Sequence, residues 1–248
     1  MLGRLFFLGV IALFCISATA EEVLVAVAAN FSAPMTEIAA AFEKETNHKI
    51  KLATGSSGKF YAQIKNGAPF HIFLSADQSV PLVLENEGFT VPGTRFTYAT
   101  GALALFSKRP NLVDYAGKNL LAGNFDKLAI ANPKLAPYGA AAVEVMQTLG
   151  VYEKLKPKLV QGENIAQTFQ FVETGNADLG FVALSQVINT EKAFWRVPTN
   201  LHTPIRQDAV LLKNGEHNTA AKALIEFFRM SVATEIIRLH GYESEQEI

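Results

Sequence analysis

Repeatedly along this chain a short apolar run passes through small or polar residues into a segment with helical spacing of its apolar side chains. That alternation predicts an α/β architecture with largely parallel sheet. Leu24 to Ala28 is valine-rich and ends at a polar turn, Asn30 to Ser32. Met35, Ile38, Ala39 and Phe42 then fall at i, i+3, i+4 and i+7 on one helix face, with Pro34 in the first turn where its missing N–H does no harm. Ile50 and Leu52 alternate with lysines as a half-buried strand, and Gly55-Ser56-Ser57-Gly58 leads into a helix carrying Phe60 and Ile64 that stops at Gly67. Phe70 to Leu74 reads as a further buried strand, and its Ser75-Ala76-Asp77 turn feeds a helical segment before Gly88. Leu128 to Ala131 ends in a proline-rich turn, Asn132 to Gly139, which opens onto an alanine-rich helix reaching Gly150. Leu159 and Val160 end at Gly162-Glu163-Asn164, ahead of a helix bearing Ile165, Phe169 and Val172.

The first twenty residues read as an export signal rather than as part of the fold. Arg4 supplies a positive n-region, Leu5 to Ile16 an apolar stretch too short to span a bilayer, and Ala18-Thr19-Ala20 a small-residue cleavage site, so the mature chain is expected to begin near Glu21. Cys15, the single cysteine, lies in that leader after the bulky Phe14, which argues against lipid attachment; the mature chain is expected to carry no thiol, hence no disulfide or thiolate metal site. Discounting Arg4 leaves 21 of the 22 basic residues against 23 acidic ones, a balance that excludes a nucleic-acid surface. Histidines 48, 71, 202, 217 and 240 are scattered without metal-ligand spacing.

In open α/β sheets ligands bind beyond the carboxyl ends of the strands, where helix N-termini converge. Each N-terminus carries roughly half a positive charge and up to four unpaired N–H donors, so several aimed at one point hold a dianion without Lys, Arg or metal. Serine adds a rotatable hydroxyl, and the glycines at 55 and 58 permit close backbone approach. Two competing motifs fail. A nucleotide phosphate loop would need Gly where Ala53 stands and Ser or Thr where Phe60 stands, and the Gly-x-Ser-x-Gly elbow of a secreted serine hydrolase is missed by one place in Gly55-Ser56-Ser57-Gly58.

Several segments in order carry a resemblance that runs across essentially the whole mature chain: Ala28-Ala29-Asn30-Phe31, Gly55-Ser56-Ser57-Gly58, Ala62-Gln63-Ile64 with Asn66-Gly67-Ala68-Pro69, and Phe73-Leu74-Ser75-Ala76-Asp77. Later come Asn132-Pro133, Ala136-Pro137-Tyr138-Gly139, Ala177 to Ala183 and Gly241-Tyr242. On these residues the chain resembles the periplasmic molybdate-binding proteins, which deliver oxyanion to the membrane permease of an ABC-type importer. The resemblance implies a two-lobed type II periplasmic binding protein fold, each lobe a mixed, mostly parallel sheet flanked by helices, joined by two hinge strands. It implies a periplasmic, monomeric binder of molybdate or tungstate that is not an enzyme and carries no cofactor or directly ligated metal. Sulfate or another tetrahedral oxyanion is the nearest alternative ligand. Tyr98 to Phe106 and Pro204 to Leu212 read as the extended hinge runs, giving a first lobe of residues 21–102 plus 208–248 and a second of 103–207.

By motif, the ligand set implied for the first lobe is Asn30 with Ala29, and Ser57 through both its hydroxyl and its N–H. For the second lobe it is the backbone N–H groups of Tyr138 and Ile165. Ala29 stands where some family members have a threonine, and Ala183 where another branch has a phenol donor, so one donor is missing on either comparison.

Overall fold

The computed structural model describes residues 20–109, 111–114 and 117–243; the leader reading lies outside them except at Ala20. Among the described residues, ten strands form two sheets of five. They are β1 (Glu22–Ala28), β2 (Lys49–Gly55), β3 (Ile72–Leu74), β4 (Phe96–Gly101), β5 (Leu103–Phe106), β6 (Leu128–Ala131), β7 (Leu159–Gly162), β8 (Leu179–Ala183), β9 (Phe194–Arg196) and β10 (Ile205–Leu211). The first sheet runs β2-β1-β3-β10-β4 and the second β7-β6-β8-β5-β9. Within each, the strands that precede helices pair in parallel (β1 with β2 and β3, β6 with β7 and β8), and the returning strands β10 and β5 pair antiparallel.

The helices are α1 (Ser32–Thr46), α2 (Ser57–Lys65), α3 (Ser79–Asn86), α4 (Lys118–Ala122), α5 (Pro137–Thr148), α6 (Tyr152–Leu155), α7 (Ile165–Glu173), α8 (Thr219–Phe227) and α9 (Ser231–Leu239). They cover both faces of each sheet, so the strands are buried on two sides. In β1, Val23, Val25 and Val27 enter the core under α1 and α8, whereas Ala26 enters the opposite one with Phe60 and Phe73. The same period-two division splits Leu103 and Leu105 from Ala104 and Phe106 in β5.

Register decides where the loops emerge. Ala28 is opposite Gly55, so the loops after β1 and β2 leave the first sheet side by side; Ala131 is opposite Gly162, which does the same for the loops after β6 and β7. The extended run from Tyr98 to Phe106 is two strands broken at Ala102: β4 belongs to the first sheet and β5 to the second. The other crossing falls between β9 and β10, and Ile205 already pairs with Gly101 in the first sheet. The strand expected over Phe70 to Leu74 is confined to β3, although His71 N–H still donates to Leu24 O of β1 at 2.9 Å.

Candidate functional site

The four strand-to-helix loops meet at one small void between the sheets, lined by Ala28, Ala29, Asn30, Gly55, Ser56, Ser57, Ala76, Ala136, Pro137, Tyr138, Asn164 and Ile165. All five residues singled out from the sequence are among them. None of the lining residues is charged. The void measures about 10 Å³, room for a single water-sized guest, so the walls are closely apposed. A wider cleft of about 470 Å³ opens alongside, sharing Ala76, Ala136 and Pro137, but the carboxylates of Asp77 and Glu144 line it together with Lys134 and Arg206. Mixed charge makes the wider cleft a poor anion site; the small one has no charged side chain in its lining.

Local capping explains which donors are spare. At α7, Asn164 is the N-cap and its Oδ1 accepts from the second and third N–H groups, Ala166 and Gln167, at 3.0 Å each, leaving the first N–H, of Ile165, for the void. At α5, Pro137 has no N–H, and the Gly139 and Ala140 N–H groups both donate to Ala136 O, at 2.9 and 3.2 Å, so Tyr138 supplies the free donor. At α2, Ser57 Oγ accepts from Ala76 N–H at 2.9 Å. With its acceptor side occupied, that hydroxyl keeps its proton for a guest. The helix dipoles of α2, α5 and α7 add positive potential at the same point.

Asn30 faces the void with its backbone, while its side chain is engaged elsewhere. Its Nδ2 donates to Gln207 Oε1 at 2.7 Å and to the Tyr242 hydroxyl at 3.1 Å, so both amide protons are spent away from the void. What remains for a guest is the backbone N–H. Its carbonyl accepts from Tyr242 at 2.6 Å and from Ser185 Oγ, in the second sheet's half, at 2.9 Å.

Behind the void lies a buried polar cluster that the sequence did not reveal. Gln207, fully buried on β10, accepts from the Tyr98 hydroxyl at 3.0 Å and donates to the Tyr138 hydroxyl at 3.2 Å. The Tyr138 and Tyr242 hydroxyls face each other. Burial pushes the phenols of Tyr98 and Tyr138 well above their ordinary range and that of Tyr242 up to about 12, so all three stay protonated and serve as neutral donors. Because Tyr138 starts α5 in the second half while Gln207, Tyr98 and Tyr242 sit in the first, the cluster joins the halves directly behind the loops. At the front, Gly58 N–H donates to Leu135 O at 3.0 Å and Lys59 pairs with Glu163 at 2.7 Å. That ion pair is half exposed and adds little stability, yet it neutralises Lys59, two residues along from Ser57.

Among the described residues no group of His, Cys, Asp and Glu could hold a metal ion, and no helix is long and apolar enough to cross a membrane. Nor does the lining include a His, Asp, Glu or Lys that could act as base toward Ser57.

Two helix-flanked sheets, with hydrogen-bond donors from both converging on one closed void, define a two-lobed solute-binding protein. Residues 23–243 match the model of the bacterial extracellular solute-binding proteins, and the chain belongs to that family. It is 55% identical over 234 residues to the molybdate-binding protein ModA of Azotobacter vinelandii, covering 93% of both chains, and 54% identical over 229 residues to ModA of Rhodobacter capsulatus, covering 92% of this chain and 90% of that one. The solved structure of the Azotobacter vinelandii periplasmic molybdate-binding protein superposes with a TM-score of 0.87 at 40% identity, covering 89% of this chain and 98% of that one.

Proposed function

We propose that this protein captures molybdate, and also tungstate, between its lobes and hands it to the membrane permease of an ABC-type importer. The observation that carries the reading is the convergence of spare N–H donors from four loops and the Ser57 hydroxyl on an uncharged void, in a chain more than half identical to molybdate-binding relatives. Ala29, Asn30, Ser57, Tyr138 and Ile165 form the ligand set, all but Ser57 through the backbone. The protein is a binder and not an enzyme, needs no cofactor, and takes molybdenum only as its oxyanion. It works as a monomer in the periplasm, reached through a signal peptide cleaved after Ala20. The lobes comprise residues 21–102 with the C-terminal part from β10 onward, and the intervening segment; the strand pairing supports a crossing a few residues ahead of 208.

The void is narrow and closely walled. Size then discriminates. Molybdate and tungstate share sulfate's charge but are larger, and a cage set to their radius leaves sulfate's oxygens short of some donors. Titration calorimetry of the mature protein with molybdate, tungstate and sulfate tests this directly. Tight molybdate binding and weak sulfate binding are expected; equal affinities would contradict the size argument, and no molybdate binding would remove the proposed function.

Ser57→Ala removes a donor to a charged guest, a loss of about 1.5–3 kcal/mol that corresponds to roughly 10- to 100-fold weaker binding by the same calorimetry. Unchanged affinity would show that its hydroxyl faces elsewhere. Gly58→Ala acts on closure instead. A Cβ there would sit 3.1 Å from Leu135 Cα and 3.2 Å from its carbonyl oxygen, backbone of the opposite lobe that cannot step aside alone. Affinity is expected to fall several-fold while the ligand-free melting temperature holds or rises, since alanine is the better helix former. A lower ligand-free melting temperature would place the damage in the lobe rather than in closure.

A further inference from the structure

We propose that Ser56 is a second hydroxyl ligand of the bound oxyanion, an inference that rests on the function proposed above. Ser56 stands at the N-cap of α2 with extended backbone angles, φ −88° and ψ 151°, where a serine ordinarily accepts from the second or third N–H of the helix. It does not do so here. The second N–H, of Gly58, is instead taken by Leu135 O from the facing lobe. Released from capping, Ser56 Oγ is buried without any hydrogen-bond partner in a residue only 3% exposed.

Other described residues also hold unpaired buried groups, among them the hydroxyls of Thr90 and Thr100, but of these only Ser56 lines the void. A hydroxyl kept from water and from the protein loses hydrogen bonding that an incoming acceptor restores. An oxyanion oxygen in the void is such an acceptor. The two adjacent serines then differ in wiring: Ser57 has its acceptor side filled by Ala76 N–H, and Ser56 has both sides open.

The test compares Ser56→Ala with Ser57→Ala and the parent protein, using molybdate titration calorimetry and thermal melting of the ligand-free protein. Ser56→Ala is expected to bind molybdate about 10-fold more weakly, the scale of one hydrogen bond to a charged group. Its ligand-free melting temperature should not fall, because no protein partner is lost. Parent-like affinity in Ser56→Ala, beside a weakened Ser57→Ala, would overturn this inference and leave the proposed function standing. A melting temperature lowered by several degrees would also overturn it, by showing that Ser56 is needed as a cap. Failure of the parent protein itself to bind molybdate would remove both readings together.

Discussion

Ile165→Pro is expected to weaken molybdate binding about 100-fold or more while leaving the ligand-free fold intact, whereas Ile165→Ala should cost only a few-fold. The substitution deletes one backbone N–H and little else. Ile165 is the first residue of α7, the position where proline is tolerated because its N–H has no partner within the helix. The preceding residue must be extended, and Asn164 already is, at φ −144° and ψ 177°. Its cap bonds to Ala166 and Gln167 are untouched, as is the bond from Gln186 Nε2 to Ile165 O at 3.3 Å. What changes is the void: a donor to an anion is replaced by a ring methylene that neither donates nor yields. Loss of a charged hydrogen bond is worth about 1.5–3 kcal/mol, and the intrusion of the ring adds to it. The alanine variant separates this from the buried side chain, since it keeps the N–H. Calorimetry showing proline and alanine variants equally weakened would mean that the side chain, not the amide, supports the site.

Much of the site was legible because it is built at strand ends from residues whose reason for being there is local. Gly55-Ser56-Ser57-Gly58, Ala136-Pro137-Tyr138 and Glu163-Asn164-Ile165 each join an apolar run to a helical one, and the register of β1 with β2 and of β6 with β7 brings them together. The backbone donors at Tyr138 and Ile165 were implied by the family resemblance alone; the structure adds a local reason why each N–H is spare, a proline or a capping asparagine standing just before it. The rest depends on contacts that no local pattern encodes. Gln207 meets residues 177 and 69 positions away in the chain at Asn30 and Tyr138, and nothing in its own neighbourhood marks it. Those remote contacts are what turn the Asn30 side chain from the void toward the hinge. Nothing in the sequence marks Ser56 apart from the loop it belongs to; only the approach of Leu135 from the other lobe shows its hydroxyl to be idle. That the extended run around the expected boundary at 102 is two strands rather than one follows only from their different partners.

Gln207→Leu is expected to lower the melting temperature by roughly 5–15 °C and to weaken molybdate binding as well, although Gln207 does not line the void. Leucine matches the volume but offers no polar atom to the Asn30 amide, 2.7 Å from Oε1, the Tyr98 hydroxyl at 3.0 Å, or the Tyr138 hydroxyl at 3.2 Å. Two of the three keep another partner: Asn30 retains the Tyr242 hydroxyl, and Tyr98 retains Ser75 O at 3.0 Å. The cost therefore falls below three fully orphaned groups, at about 2–4 kcal/mol in total. For a chain of this length each kcal/mol moves the melting temperature by about 2–4 °C. The effect on binding follows from which residues are released. Asn30 and Tyr138 present backbone donors from opposite lobes, and Gln207 holds both of their side chains from behind. With that tie cut, the two amides are no longer fixed relative to each other, and part of the binding free energy goes to ordering them. A variant that melts within about 2 °C of the parent would show the cluster to be energetically idle. One that melts lower yet binds molybdate with parent affinity would show that the loops are held by their own caps, independently of the hinge.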